Sequence, residues 1–205
     1  RPILSVIIPA YNVGNYISEA VLSVTRQTLI ELEIIVVDDG STDNTKRALE
    51  HLDCDQRVKV ISQSNLGTSQ SRNTGLCLAR GQYIGFLDGD DRWHPTKAAR
   101  HIEVLEHLEN IDLTFSRYRI IDDAGNDTGR RSKTPPKRVK LEDLIKENIV
   151  GTASNVIVRK EALDKVGYFD PNLKAAVDLD LWIRLAELRN NNMHFIDEIL
   201  TDYRL

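Results

Sequence analysis

The sequence has few residues that would build a disulfide scaffold, and no segment resembles a membrane anchor. Only two of its 205 residues are cysteine, Cys54 and Cys77. Their spacing does not fit a metal site and both lie in helix-like segments, which predicts reduced core residues in a reducing compartment. No apolar run approaches the roughly 18–20 residues of a membrane-spanning helix, and no signal peptide is evident. We therefore expect a cytoplasmic protein.

An excess of positive charge is also missing. Lysine and arginine number 27 against 31 aspartates and glutamates, a net charge of −4. This balance gives no electrostatic reason to expect binding to nucleic acid. The length suits one domain with a sizeable core. Because the chain starts at Arg1 and stops at Leu205 within a strand-like run, we expect it to be truncated at the C-terminus.

Strands and helices alternate along the first half. Apolar, partly β-branched runs predict strands at 3–8, 33–37, 58–61 and 83–87. Apolar spacing and capping residues predict helices over 15–26, 43–52, 67–79 and 95–109. This order predicts an α/β fold, with a Rossmann-like, mostly parallel central sheet and helices on both faces.

The second half is less regular. It contains predicted strands at 112–118 and 155–159 and predicted helices at 160–166 and 178–189. Between them, 122–138 is rich in Gly, Pro and charged residues, which predicts an exposed, mobile loop. A solvated loop, a lid and a surface facing anionic lipid at the inner face of the membrane all remain open for its basic residues. These are Arg130, Arg131, Lys133, Lys137 and Arg138.

Polar residues follow three of the predicted parallel strands, as PAYN (9–12), DDGS (38–41) and DGDD (88–91). Ligands bind beyond the carboxyl ends of such strands, so five carboxylates converge there. Two charges about 4 Å apart repel by roughly 4 kcal/mol at an effective dielectric near 20. The cluster at 88–91 therefore predicts binding of Mn²⁺ or Mg²⁺ and a ligand, with helix caps and turn residues as the alternative.

Such cations usually complete their coordination with phosphate oxygens. The sequence has neither GxGxxG after the first strand nor GxxxxGK[ST], so basic side chains must contact the phosphates. Arg72, near the start of the helix predicted over 67–79, is the candidate. A solvated surface arginine is the alternative.

Six segments together resemble the family 2 glycosyltransferases, which have the GT-A fold. They are VIIPAYN (6–12), EIIVVDDGSTDNT (33–45), SNLGTSQSRNTG (64–75), GQYIGFLDGDD (81–91), VGYFD (166–170) and DLDLWIRL (178–185). The resemblance implies an inverting, metal-dependent enzyme of the hexosyltransferase type. It would move a sugar from a nucleotide-sugar, a UDP-sugar, to a hydroxyl of a glycan or lipid-linked acceptor in cell-surface polysaccharide synthesis. A nucleotidyltransferase and a non-catalytic nucleotide-sugar-binding module are the alternatives.

The resemblance also implies roles on the donor side. Pro9 and Tyr11 would line the nucleobase pocket, with Tyr11 stacked on the base, and Asp39 would accept a hydrogen bond from the uracil N3–H. Arg72 would contact the nucleotide. Residues 88–90 match the DXD motif of the family.

Within this motif, the resemblance places Asp88 near the ribose and Asp90 on the metal. Asp91 follows it as a further member of the cluster. We expect a single GT-A domain, 1–205, with a donor half at 1–110 and an acceptor and catalytic-base half at 111–205.

An inverting transfer also needs a carboxylate base from another segment. On the helix predicted over 178–189, Asp178 shares the apolar side with Trp182, whereas Asp180 lies about 200° around from Asp178. Asp178 matches the acidic position of the family and is the predicted base, with a helix-dipole role as the alternative. Val177 replaces the Glu common in relatives. Trp182 is predicted to be a core residue.

Other positions have two interpretations. Trp93 would lie beside the donor sugar or serve the structure, and GTASN (151–155) would border the acceptor or form a plain turn. The histidines show no ligand pattern, and His101 and His107 are expected on a helix surface. A histidine that follows Tyr-Arg in many relatives would be residue 206, beyond this chain.

Overall fold

The computed structural model of the protein describes residues 1–50, 52, 55–136, 139–189 and 192–205. The strands are β1 (Leu4–Ala10), β2 (Leu32–Asp38), β3 (Val58–Ser62), β4 (Tyr83–Phe86), β5 (Arg92–Trp93), β6 (Leu113–Ile121), β7 (Asp127–Arg131), β8 (Val156–Arg159) and β9 (Met193–Arg204). The helices are α1 (Ile17–Thr25), α2 (Thr45–Glu50), α3 (Thr68–Leu78), α4 (Lys97–His107), α5 (Leu141–Lys146), α6 (Lys160–Val166) and α7 (Val177–Leu188), with a 3₁₀ turn at Ala153–Asn155.

The strands of the described chain form one sheet in the order β3-β2-β1-β4-β8-β6-β9-β5, with β7 paired to β6. The first four are mutually parallel, and β8 then runs antiparallel to both β4 and β6. The predicted α/β fold with a central, mostly parallel sheet is confirmed. Its first half matches the prediction, and its second half adds strands of both directions.

Alternate residues of the central strands enter two separate cores. Ile7 and Ile35 pack with α3, α6 and α7 on one face, whereas Ile8 and Ile34 pack with α1 and α4 on the other. Helices therefore cover both faces, which explains the continuous apolar runs of β1 and β2. Each fully buried aliphatic side chain contributes roughly 1.5–3 kcal/mol.

Helix α3 lies unusually close to β1. A Cβ on Gly75 would meet Cγ2 of Ile7 at 2.5 Å, so this contact requires glycine. Leu76 completes the buried face, and Cys77, one position further round the helix, is exposed. The prediction that Cys77 is a core residue is therefore wrong. Cys54 lies outside the described residues.

Helix α4 buries two polar side chains together with its apolar face. Lys97 and His101 are both 0% exposed, one turn apart beside Ala98 and Ile102. The expected surface position of His101 is wrong, because this turn of the helix faces the sheet. His107, at the last turn, is exposed as predicted.

The region predicted as a mobile loop contains a strand. β7 pairs with β6, with Arg131 opposite Arg119, although all five residues of β7 are exposed. The loop assignment is therefore wrong for these residues, whereas their exposure agrees with the prediction; Lys137 and Arg138 lie outside the described residues. Within the described ranges, no helix combines the length and apolar character needed to cross a membrane.

Candidate active site

A cavity of about 470 Å³ opens at the carboxyl ends of β1, β2 and β4. Residues from the first half form most of its wall, and Val177, Tyr203 and Arg204 complete it. The structure brings all six residues predicted for the donor nucleotide and metal into this one cavity. They are Pro9, Tyr11, Asp39, Arg72, Asp88 and Asp90.

The register of the sheet explains this convergence. Ala10 lies opposite Asp38, so the segments that leave β1 and β2 start side by side. The acidic turn after β4 also lies close to the end of β1, because a Cβ on Gly89 would lie 3.1 Å from the carbonyl oxygen of Pro9. Glycine between the two aspartates thus lets the acidic turn contact the end of β1.

Arg72 is the more buried of the two arginines in the cavity wall. Its Nη2 donates a 2.6 Å hydrogen bond to Asp88 and its Nη1 a 2.7 Å bond to Asp178, while its guanidinium lies 5.2 Å from the ring centre of Phe169. It is 3% exposed, so the solvated-surface alternative is wrong. Burial opposes the charged form, but the charges of Asp88 and Asp178 raise the pKa of Arg72.

Asp178 lies in the first turn of α7 and points inward, as predicted; its contact with Arg72 was not predicted. Burial raises the pKa of the Asp178 carboxyl, the positive charge of Arg72 opposes that rise, and the charge of Asp88 adds to it. Asp180 instead forms a 2.7 Å ion pair with Arg184 one turn along the helix. The predicted opposite orientations of the two acids are confirmed.

Asp39 is held by the loop that precedes α3. Its carboxylate accepts hydrogen bonds from the backbone N–H of Leu66 at 2.9 Å, the backbone N–H of Gly67 at 2.8 Å and Nε2 of Gln63 at 2.8 Å. An ionised carboxylate has about four acceptor positions, so capacity remains for one further donor.

The acids of the 88–91 turn have different environments. Burial and the charge of Asp88 raise the pKa of Asp90, which lines the cavity. Asp91 is 1% exposed and accepts a 2.9 Å hydrogen bond from the backbone N–H of Arg204. The expectation that Asp91 contacts metal or ligand is therefore wrong, because its carboxylate points into the protein and fastens β9.

Asp88 and Asp90 are the candidate ligands for a cation in this cavity. In the described part of the chain, no group of three or more His, Cys, Asp or Glu side chains is arranged to hold a metal ion. Mg²⁺ often binds through one or two carboxylates, with water and substrate phosphates as its other ligands. The two carboxylates fit such an ion when a phosphate-bearing ligand shares it.

Sequence reasoning missed the contribution of β9. Arg204 is 6% exposed, and its guanidinium donates to the backbone oxygens of Asp90 at 2.7 Å and Asp122 at 3.0 Å. It also forms a 2.6 Å ion pair with Glu19. These contacts fix the acidic turn against the second half of the chain. The strand-like character of the last residues and the Tyr203-Arg204 pair, which resembles a motif of many relatives, were the sequence signals.

The two tryptophans are both structural. Trp182 is fully buried against Phe86 and Phe169, which confirms the core prediction. Trp93 is 4% exposed, and its Nε1 donates a 2.8 Å hydrogen bond to the backbone oxygen of Ser154. Of its two interpretations, the structural one holds. Ser154 itself lies in a buried turn that leads into β8, and a position of GTASN beside the acceptor stays a prediction.

Comparison with known proteins identifies the family. The family model described as "Glycosyl transferase family 2" matches residues 5–167. The chain therefore belongs to glycosyl transferase family 2, as its motifs predicted.

Individual relatives agree with this assignment. The glycosyltransferase TuaG of Bacillus subtilis, assigned to teichuronic acid biosynthesis, is 30% identical over all of this chain and 80% of its own length. EpsJ of the same organism, an uncharacterized glycosyltransferase, is 50% identical over 66% of this chain and 38% of its own length.

A solved structure also superposes on nearly the whole chain. TarS of S. aureus in complex with UDP has a TM-score of 0.80 at 25% identity, over 98% of this chain and 60% of the TarS chain. TarS has likewise been solved in complex with UDP-GlcNAc. The chain thus spans less than two thirds of TarS and of EpsJ.

Proposed function

We propose that the protein is an inverting, metal-dependent glycosyltransferase that moves a sugar from a UDP-sugar to a hydroxyl of a glycan or lipid-linked acceptor. One observation carries the proposal: Asp39, Arg72, Asp88 and Asp90 line one cavity, and Asp178 is bonded to Arg72 at its inner wall. The complexes of TarS with UDP and UDP-GlcNAc support the choice of uridine.

The nucleotide would occupy the part of the cavity nearest β1 and β2. Tyr11 is 49% exposed in the cavity wall, and its ring offers an apolar face on which a base can stack beside Pro9. Asp39 has one acceptor position left, which suits the N3–H of uracil. Arg72 and Asp88, further along the cavity, would contact the nucleotide and its ribose.

Asp178 would act as the general base. In a single displacement, its carboxylate takes the proton of the acceptor hydroxyl as the hydroxyl oxygen bonds to the anomeric carbon. The bond from that carbon to the diphosphate oxygen breaks on the opposite face, so the configuration inverts. The Arg72 cation favours the ionised carboxylate that this step requires, since its charge opposes the rise in the pKa of Asp178.

Asp90, with Asp88 beside it, would hold Mn²⁺ or Mg²⁺. A bound divalent cation supplies positive charge that stabilises the departing diphosphate. Burial and mutual repulsion disfavour two ionised carboxylates here, as the raised pKa of Asp90 indicates. A cation relieves this cost.

The two halves of the chain would have different roles in the reaction. We propose that 1–110 binds the donor and that 111–205 supplies the base and contacts the acceptor, within one GT-A domain. The assignment of TuaG to teichuronic acid biosynthesis supports a cell-surface polysaccharide as the product. Transfer to a lipid-linked acceptor would take place in the cytoplasm, at the inner face of the membrane.

Calorimetric titration with UDP tests the donor site directly. We expect binding in Mn²⁺ that is lost in EDTA, followed by Mn²⁺-dependent hydrolysis of one UDP-sugar in a panel. Metal-dependent binding without turnover toward any donor or acceptor would favour a non-catalytic binding module. Absence of UDP binding in both conditions would overturn the proposed uridine donor.

A further inference from the structure

The buried turn Ala153–Asn155 connects the two acids on which the proposed reaction depends. Ser154 is 0% exposed, and its Oγ accepts a 2.9 Å hydrogen bond from the backbone N–H of Asp88. The backbone N–H of the neighbouring Ala153 faces the carboxylate of Asp178. One short segment therefore contacts both the acidic turn and the start of α7.

Several buried side chains hold the turn in place through hydrogen bonds. The ring nitrogen of Trp93 donates to the backbone oxygen of Ser154, and Nζ of Lys97 donates a 2.9 Å bond to the backbone oxygen of Asn155. The side-chain amide of Asn155 donates to the backbone oxygens of Ser116 at 2.6 Å and Val150 at 3.1 Å. All these side chains are buried, so these hydrogen bonds hold the turn against the sheet.

We infer that Ser154 is a positioning residue for the donor site, which acts by fixing the backbone at Asp88. The carboxylate of Asp88 meets Arg72 at 2.6 Å, and Arg72 in turn meets Asp178 at 2.7 Å. A rotation of the peptide at residue 88 would move the carboxylate of Asp88. It would therefore disturb the contact of Asp88 with Arg72 and, through Arg72, the position of Asp178. This inference rests on the proposed function and assigns it a residue outside the cavity wall.

The chain offers a matched control for the Ser154 hydroxyl. Ser5 is also 0% exposed, and its Oγ accepts a 2.8 Å hydrogen bond from the backbone N–H of Gly81. Ser5 lies near the start of β1, whereas the cavity lies beyond the carboxyl end of that strand. Ser154→Ala and Ser5→Ala thus both remove a buried hydroxyl that accepts from a backbone N–H, and only the first touches the site. Ser5→Ala also removes the donor of a 2.7 Å hydrogen bond to Glu33, which makes it a stringent control for general destabilisation.

The test compares both variants with the wild type in three measurements: UDP affinity in Mn²⁺, kcat for UDP-sugar hydrolysis and hydrogen exchange of the Asp88 amide. We expect Ser154→Ala to bind UDP and turn over roughly 10- to 100-fold less well, because a misplacement of about 1 Å transmitted to the reacting groups can cost up to about 100-fold. The Asp88 amide should exchange faster. Ser5→Ala should match the wild type in all three, whatever its loss in Tm.

Trp93→Phe gives a second, milder variant in case Ser154→Ala folds poorly. It retains an aromatic ring of similar position but removes the donor to the backbone oxygen of Ser154. We expect a smaller change in the same direction in all three measurements.

The outcomes separate the two proposals. A wild type that neither binds nor hydrolyses any nucleotide-sugar refutes the proposed function, and the positioning role falls with it. A functional wild type matched by Ser154→Ala in affinity, turnover and Asp88 exchange refutes the positioning role alone. Equal losses in Ser154→Ala and Ser5→Ala would also refute it, because they would reflect general destabilisation.

Discussion

The guanidinium of Arg72 donates a 2.7 Å hydrogen bond to the carboxylate of Asp178, across 106 residues of sequence. The same guanidinium contacts Asp88 at 2.6 Å. Arg72 thus joins an acid proposed to bind the donor to the acid proposed as the base. Because the three groups are largely buried, a change at one of them alters the charge balance of the other two.

Replacement of Arg72 should shift the pH profile of turnover. Without this cation, burial and Asp88 raise the pKa of Asp178 further, and the base is ionised only at higher pH. At saturating donor, we expect the acid limb of kcat in Arg72→Met to move up by about one pH unit or more. Arg72→Lys keeps the charge and should shift less. An unchanged acid limb in Arg72→Met would argue against Asp178 as the titrating base.

Removal of the Asp90 charge should abolish the metal dependence of donor binding. Asp90→Asn leaves the shape of the acidic turn almost intact but removes the proposed cation ligand. We expect the affinity for UDP in Mn²⁺ to fall to the value measured in EDTA. The control is Asp180→Asn, which removes an acid that is paired on the helix surface with Arg184 and should leave binding unchanged. Full Mn²⁺-dependent affinity in Asp90→Asn would contradict the metal assignment.

Asp178→Asn should separate binding from chemistry. The amide cannot take a proton from the acceptor, and positioned general bases contribute roughly 10²–10⁴-fold to the rate. We expect kcat to fall by that factor while the affinity for UDP changes little. Turnover at the wild-type rate with a true acceptor would exclude Asp178 as the base.

Lys97 should give folding stability an unusual pH dependence. Burial lowers the pKa of its amine well below the usual range, so between the folded and unfolded pKa values the unfolded chain binds the extra proton. Stability therefore rises with pH across this window, by up to about 1.4 kcal/mol per pH unit. We expect Lys97→Met to lack this increase when urea unfolding is compared at pH 7 and pH 9.

Lys46→Met is the control for this prediction. Lys46 is an exposed residue of α2, and its replacement should preserve the wild-type rise in stability. Parallel pH dependences of Lys97→Met and the wild type would show that the Lys97 amine stays protonated in the folded protein.

Local patterns predicted the first half of the fold well. The apolar runs of β1 and β2 reveal strands covered on both faces, and the residues after them must meet because parallel strands end at one edge. Of β9, only the strand-like run at its end was predicted. Its sequence, MHFIDEILTDYR, shows no regular alternation, and its pairing with β6 shifts register between Ser116 and Tyr118.

The residues of the candidate site also differ in whether the sequence predicted their placement. Asp39, Arg72 and Asp90 follow strand ends or begin a helix, so their placement was predictable from local order. Arg204 was not, since its partners are Glu19 and backbone oxygens that only the tertiary fold brings near. The burial of Lys97 was not predicted either. A lysine in a helix is normally solvated, and His101, one turn further on, was itself expected on the surface, so the local pattern did not predict this burial.

The position of Arg204 also affects the order in which the protein can mature during synthesis. Pro9 leaves the ribosome early, whereas Arg204, which fastens the turn at Asp90, is translated nearly 200 residues later. Contacts between such distant residues form slowly because a long loop must close first. The nascent chain can assemble the parallel strands β1–β4 well before β9 is complete. Ligand binding should therefore appear late in translation, after the bulk of the sheet has formed.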